Sequence, residues 1–247
     1  MSLLKLNPHI SVDCVIFGFD GKNLKVLLIK REIEGLDFPE KISTDYKLPG
    51  DFITDEEDLE TAAIRILNEL TGLKNIFLKQ LSVFGAPHRI SKEKDINWLR
   101  TTTGLPIERV VTVAYYSLIK IGESQHYLAD INNAAWLKLD EITELAFDHS
   151  EILQKGLKTL RKRLQNEPIG FELLPVKFTI RQLQNLYEII LGSELDNRNF
   201  RKKILKAEYL VPTEDKESEV AHKPARLFMF DKEIYEKAEM KDFGFHF

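Results

Sequence analysis

The segment Asp196–Lys206, DNRNFRKKILK, carries five basic residues against a single acidic one. Arginine donates bidentately to guanine, asparagine pairs with adenine, and lysine holds a phosphate as a point charge. On a helix this segment turns Phe200 and Ile204 to one side, while Arg198, Asn199, Arg201, Lys202 and Lys203 cover much of the rest. Such a face can grip a DNA backbone and read bases. A merely solvated basic face is the plainer reading, and the flanking elements weigh against it. Thr179 stands before an amphipathic run and is placed to cap it, with its hydroxyl and the helix N-terminus offered to a phosphate. Asp13 signals a second kind of chemistry, because it lies inside the apolar run ISVDCVIFGF. A carboxylate there needs a partner, either a ligand or an internal hydrogen bond or ion pair.

The elements that carry these residues follow from periodicity. Ile10–Phe19 and Leu24–Ile29 flank an Asp20-Gly21 turn and read as a β-hairpin. Leu81–Phe84, Val110–Leu118 and Ala134–Leu137 read as further strands. Leu59, Ala62, Ala63, Ile66, Leu67 and Leu70 share one face of a helix over Asp55–Thr71, capped by Asp55 and stopped by Gly72. Ser91–Pro106 is polar and reads as a long loop, a kind that often carries function. The later part is mostly helical, with Ser150–Gln165, Thr179–Leu191 and, behind a capping Asp196, Asn197–Ala207. Leu210–Val211 and Ala225–Phe230 form a hairpin around a charged tip, Thr213–Glu219. Helix, short turn, basic helix and hairpin is the order of a winged helix-turn-helix. The domain boundary falls near Ala146–His149, giving domains 1–146 and 147–247 in an α+β chain.

Composition narrows the class. The chain has 247 residues, Lys+Arg 35, Asp+Glu 39, a net charge of -4 and one cysteine, Cys14. One cysteine excludes an internal disulfide framework and a zinc-finger cluster, and fits a reducing cytoplasm. No apolar run approaches the roughly 18 residues of a membrane span, and the start lacks the layout of a secretion signal. The charge is uneven: residues 147–247 hold 18 Lys+Arg and 17 Asp+Glu, leaving 17 and 22 in the first 146. The acidic total therefore hides a basic patch on the second part.

Leu48-Pro49-Gly50 and the helix ending RILNELTGL resemble the Nudix box of nucleoside-diphosphate-linked hydrolases. That box runs Gly, five residues, Glu, seven residues, then Arg-Glu-apolar-x-Glu-Glu-x-Gly-apolar. Gly50, Arg65, Leu67, Glu69, Gly72 and Leu73 match, and Glu57 matches with one residue inserted. In the family three glutamates at i, i+3 and i+4 hold Mg²⁺. Two of those positions are Ile66 and Leu70 here, which cannot ligate a hard cation. The expectation is a Nudix-like α/β/α sandwich with a mixed sheet and a retained pocket, with no catalytic residues, no metal and no cofactor. Gly50, Arg65 and Gly72 then serve the scaffold. The pocket that the resemblance implies is lined by Asp13, Arg31, Glu32, Lys47, His88, Arg89 and Glu108, with Trp98 or Tyr115 as an apolar wall.

The run FTIRQLQNLYEIILGSELDNRNFRKKIL, with Pro224-Ala225-Arg226-Leu227-Phe228 further on, resembles the DNA-binding domain of Nudix-related transcriptional regulators. With the first match, the resemblance spans nearly the whole chain. It implies a homodimer that binds a double-stranded operator, with a small-molecule effector in the Nudix part. The DNA-binding set is Thr179, Arg198, Asn199, Arg201, Lys202, Lys203, Lys223 and Arg226. The tip residues Glu214, Asp215, Glu217 and Glu219 are acidic, which argues against insertion of the hairpin into a groove. The branch it looks most like responds to L-arabinose, so the expected function is a cytoplasmic repressor of sugar-utilisation genes that arabinose releases from DNA. The alternatives are a regulator sensing ADP-ribose or a related nucleotide, an atypical Nudix hydrolase and, least favoured, a protein-protein adaptor.

Overall fold

The computed structural model describes residues 6–34, 42–104, 106, 109–167, 169–218 and 224–239. Backbone contacts divide the chain between Lys158 and Thr159, with the turn Gly21–Asn23 counted in the second unit. The division falls inside helix α4 (His149–Asn166), later than the 146/147 boundary read from the sequence. The first turns of that helix lie against the sheet of the first unit. Gly156 permits the close approach: a Cβ there would stand 3.3 Å from Val15.

Among the described residues the first unit holds a seven-stranded mixed sheet. Its centre is β1 (Leu6–Phe19), which runs parallel to β6 (Val111–Lys120) and antiparallel to β2 (Leu24–Glu34) and β4 (Gly50–Thr54). β3 (Ile42–Lys47) and β7 (Ala134–Lys138) pair with β2, and β5 (Lys79–Phe84) pairs with β6. Strand alternation sends Val12, Cys14 and Ile16 into the core beneath α1 (Leu59–Thr71), with Ala62, Ala63, Ile66 and Leu67. Ala129 of α3 (Glu123–Ile131) joins the same core. Asp13, Val15 and Phe17 therefore point to the opposite face, where α4 begins. Buried on both faces, β1 reads as a near-continuous apolar run. The α+β class and the mixed sheet agree with the sequence expectation.

Several local readings change. The cap of α1 is Asp58, whose side chain accepts from Thr61 N at 2.7 Å, in place of Asp55. Ser91–Pro106 is not a loop but contains α2 (Glu93–Thr103), with Glu93 and Asp95 in its first turn and Gly104 as a left-handed stop at φ 67°. Its apolar periodicity is thin because its buried face carries a charge, Asp95. The basic helix ends at Ile204 instead of Ala207, since the backbone tightens into i→i−3 bonds at Lys206 and Ala207.

The second unit contains α5 (Ile180–Leu191), α6 (Asn197–Ile204), the hairpin β8 (Leu210–Lys216) with β9 (Arg226–Phe230), and α7 (Lys232–Glu239). Thr179 and Gln182 form a reciprocal capping box at the start of α5. Gly192 ends the helix at φ 71°. The turn to α6 is fixed by Gln184, whose Nε2 donates to Leu195 O and to Glu188, while Leu195 N–H donates to Glu188. Phe200 of α6 packs edge-on against Tyr187 of α5. Phe178 pairs through its backbone with Phe228, so a short extended segment runs beside the hairpin. Thr213–Lys216, expected in the hairpin tip, belong to β8. This is the winged helix-turn-helix order. Among the described residues no helix is long and apolar enough to cross a membrane.

Gly18 shows how tightly β1 is packed by its neighbours in the sheet. A Cβ there would fall 2.5 Å from both Ile121 and Trp136. Gly18→Ala is expected to lower the unfolding free energy by about 1–3 kcal/mol through overpacking, read as a lower midpoint in urea. An unchanged midpoint would show that Ile121 and Trp136 can move aside.

Candidate functional site

β1 changes its antiparallel partner between Asp13 and Phe17, leaving β4 for β2. A cavity of about 220 Å³ opens beside Asp13 on the face toward α4. Its polar lining includes Asp13, Lys47, Asp51, Arg89 and His149. Its apolar wall includes Phe52, Leu70, Trp98 and Phe147.

Asp13 is buried and occupied. His149 Nδ1 accepts the Leu48 N–H at 2.9 Å, so the ring proton sits on Nε2, 3.3 Å from the Asp13 carboxylate. Arg89 Nη2 lies 3.5 Å from the other carboxylate oxygen. Burial alone would raise the Asp13 pKa, but His149 and Arg89 outweigh it and hold the carboxyl well below the usual range. Arg89 is itself clasped by Asp148, which accepts from Nε at 3.0 Å and from Nη2 at 2.8 Å. Lys47 is buried, donates to Gly50 O at 2.6 Å and stands 5.7 Å from the centre of the Trp98 ring. Burial pushes its ammonium pKa down, against the opposing pull of Asp13 and Asp51.

Behind the wall lies a second charged cluster. Arg31 is fully buried, bidentate on Asp45 at 2.8 Å and bonded to Asp95 at 2.5 Å. Its guanidinium carbon is 5.0 Å from the centres of both the Trp98 and Phe147 rings. Burial opposes its charge, but Asp45 and Asp95 raise its pKa. Asp95 also accepts the Phe147 N–H at 2.9 Å. Arg31 therefore braces the two aromatic walls and does not line the cavity.

Of the seven sequence candidates, Asp13, Lys47 and Arg89 line the cavity and Arg31 stands behind it. Glu32 and His88 are exposed and are not among the residues that line the cavity. Strand alternation turns Glu32 away from the side Arg31 takes, and the turn that carries His88 directs only its neighbour Arg89 inward. Glu108 lies outside the described residues. Trp98 supplies the expected apolar wall, while Tyr115 lines a separate groove near the start of α1. His149, Asp148 and Asp95 were missed. Each lies far in sequence from its partner, and only Asp13 in its apolar strand signalled that partners were needed.

The Nudix-like helix shows why its surviving signature residues remain. Arg65 holds Glu57 at 2.5 Å, and Glu57 accepts the Thr54 N–H at 2.7 Å, tying loop to helix. A Cβ on Gly50 would lie 1.9 Å from Asp13 Oδ1. Gly72 adopts φ 72°. Ile66 is fully buried in the core and Leu70 lines the cavity.

On α6, Phe200 and Ile204 are buried, and Arg198, Asn199, Arg201, Lys202 and Lys203 are exposed. Asp196 caps the helix by accepting from Asn199 N at 2.7 Å. Arg226 is exposed on β9 and donates to Thr213 O at 2.9 Å. Thr179 is buried, and its hydroxyl is engaged in the capping box at the start of α5. Lys223 lies outside the described residues.

Comparison with known proteins follows this two-part layout. The NUDIX domain family model matches residues 7–156, and the model of the NrtR DNA-binding winged helix domain matches residues 170–230. The ADPR responsive transcriptional repressor NtrR of Acinetobacter baylyi is 31% identical over 235 residues, 93% of this chain and 85% of that one. The ADP-ribose pyrophosphatase of Methanocaldococcus jannaschii is 28% identical over 155 residues, 63% of this chain and 76% of that one. The crystal structure of Shewanella oneidensis NrtR complexed with a 27mer DNA shares the fold, with a TM-score of 0.66 at 24% identity over 96% of this chain and 97% of that one.

The depressed Asp13 pKa gives a pH signature. Its contribution to stability is fully present above the unfolded carboxyl pKa of about 3.9 and is lost as pH falls through the lower folded value. Asp13→Asn should cost about 3 kcal/mol at neutral pH. In denaturant titrations the gap between the two proteins should narrow below about pH 4. A gap of equal size at pH 7 and pH 3 would mean that the charge on Asp13 is not what holds this centre.

Proposed function

The chain belongs to the Nudix-domain transcriptional regulators that carry an NrtR-type DNA-binding winged helix, and we propose that it is an effector-responsive repressor whose cavity takes ADP-ribose or a related nucleotide. The observation that carries this reading is the combination, in one chain, of a buried cavity with Lys47, Arg89 and His149 as donors and an exposed basic face on α6. Lys47 and Arg89 are a donor set for a phosphoryl group. Asp13 is an acceptor for sugar hydroxyls, and Trp98 is a flat wall for a base. The 31% identical relative is described as ADPR responsive, which moves the expected effector from L-arabinose to a nucleotide. A neutral pentose stands second, favoured by the modest volume of the cavity and by Leu70 where the family's box has a glutamate.

In this reading the Nudix part senses and does not hydrolyse. Ile66 and Leu70 present methyl groups at two positions where the family's box places carboxylates, so Mg²⁺-assisted attack on a pyrophosphate lacks its ligands. The repressor works in the cytoplasm as a homodimer on a two-fold operator, with half-sites about one or two helical turns apart. Arg198, Asn199 and Arg201 read bases, and Lys202, Lys203 and Arg226 hold phosphates.

Arg201→Ala or Arg198→Ala should weaken binding to a selected operator duplex by about 1–3 kcal/mol and relax preference at the contacted base pair. Lys202→Ala should weaken all duplexes alike and flatten the salt dependence. If the triple alanine variant at Arg201, Lys202 and Lys203 keeps full affinity at moderate salt, α6 is not the reading helix. Incubation with ADP-ribose and Mg²⁺ should leave the nucleotide intact, and calorimetry in EDTA should still register its binding. Sustained release of AMP and ribose phosphate would make the chain a hydrolase instead.

A further inference from the structure

Three consecutive residues at the start of α4 each close a contact with a charged group at the cavity. Phe147 N–H donates to Asp95, which also holds Arg31. Asp148 clasps Arg89, and His149 donates to Asp13. Phe147 adopts φ 55°, a left-handed conformation that a bulky residue keeps only when its surroundings hold it there. Asp148 O accepts from Glu151 N at 2.9 Å and Ile152 N at 3.3 Å, so this residue also seats the first turn of the helix. The same helix continues past Lys158 into the second unit.

Of these contacts, only Arg89–Asp148 joins a cavity-lining cation to a carboxylate that does not itself line the cavity. A phosphoryl group offers Arg89 the same pair of oxygens in the same planar geometry. We propose that Asp148 is an internal stand-in for the effector: a phosphoryl group entering the cavity takes Arg89 from Asp148, the first turn of α4 loses its anchor, and operator affinity falls. The inference rests on the reading that the cavity takes a nucleotide. It supplies what any effector needs in order to act, a difference in affinity between two states of the protein. With Asp148 in place Arg89 is engaged, and with Asp148 released it is free for the ligand. A neutral sugar has no group that competes for Arg89.

The test uses the full chain and an operator duplex selected by enrichment. Asp148→Asn removes the competing charge. ADP-ribose should then bind this variant at least fivefold more tightly than it binds the wild type. Without effector, the variant should hold the duplex about as weakly as the wild type does with effector. Arg89→Lys keeps the charge but cannot clasp both carboxylate oxygens, so it should also loosen DNA binding while binding ADP-ribose less tightly. Amide hydrogen exchange checks the movement in the wild type, where ADP-ribose should speed exchange at Glu151 and Ile152 and L-arabinose should not. If Asp148→Asn retains wild-type operator affinity and ADP-ribose still releases it fully, the exchange is wrong although the effector is right. If ADP-ribose protects Glu151 and Ile152, the exchange is likewise wrong. If ADP-ribose does not bind the wild type at all, the nucleotide reading fails and this inference falls with it.

Discussion

A charged carboxylate at the centre of a sheet is the constraint around which the first unit is arranged. Moving an ion out of water costs several kcal/mol even after relaxation, and Coulomb attraction offsets it only with good geometry on all sides. Asp13 meets this condition through His149 and Arg89, which reach it from the start of α4 and from the turn after β5. The demand spreads outward. Leu48 N–H fixes which imidazole nitrogen carries the proton, and Asp148 neutralises the second cation. Position 50 must be glycine because the carboxylate fills the space a methyl group would need. The strand that carries Asp13 parts from β4 just beyond it, so the anchored charge and the opening beside it share one cause.

The two charged clusters of this unit differ in kind. Arg31 is held by Asp45 and Asp95 through Nε and Nη2, and it holds up aromatic rings. Arg89 and Lys47 are held too, yet both border an empty space. The tie from Arg65 to Glu57 belongs to the first kind, which explains how an enzyme-like signature can remain recognisable without two of its carboxylates. Its glycines and its arginine position a loop against a helix, whatever chemistry that loop performs.

How much of this was legible depended on where each residue's partner lies. α1, the β1–β2 hairpin and the basic helix announce themselves because apolar spacing within one element reports its buried face. α2 does not, because the side it buries is fixed by Asp95 bonding to Arg31, and an ion pair has no period. Asp13 was legible as a need, and Lys47 and Arg89 as donors. His149 and Asp148 were not, since the residues that answer Asp13 and Arg89 come from the start of α4, far along the chain. Glu32 and His88 lie outside the cavity for a simpler reason, as each neighbours a residue that does turn inward. Effector identity was the weakest reading from sequence, because Ile66 and Leu70 report the loss of two carboxylates and say nothing of phosphate.

The acidic strand β8 bears on how such a protein finds its site. Glu214 and Asp215 face solvent, Lys177 is drawn to Asp215, and Arg226 donates to a backbone carbonyl. With the whole chain at a net charge of -4, the proposed DNA contacts gather on α6 and Arg226, while Glu214 and Asp215 would repel phosphates. On that proposal, binding to arbitrary sequence would be shallow, and the protein would leave wrong sites quickly instead of sliding along them for long distances. Few copies per cell would then suffice to keep an operator occupied, because few would be lost to the rest of the chromosome.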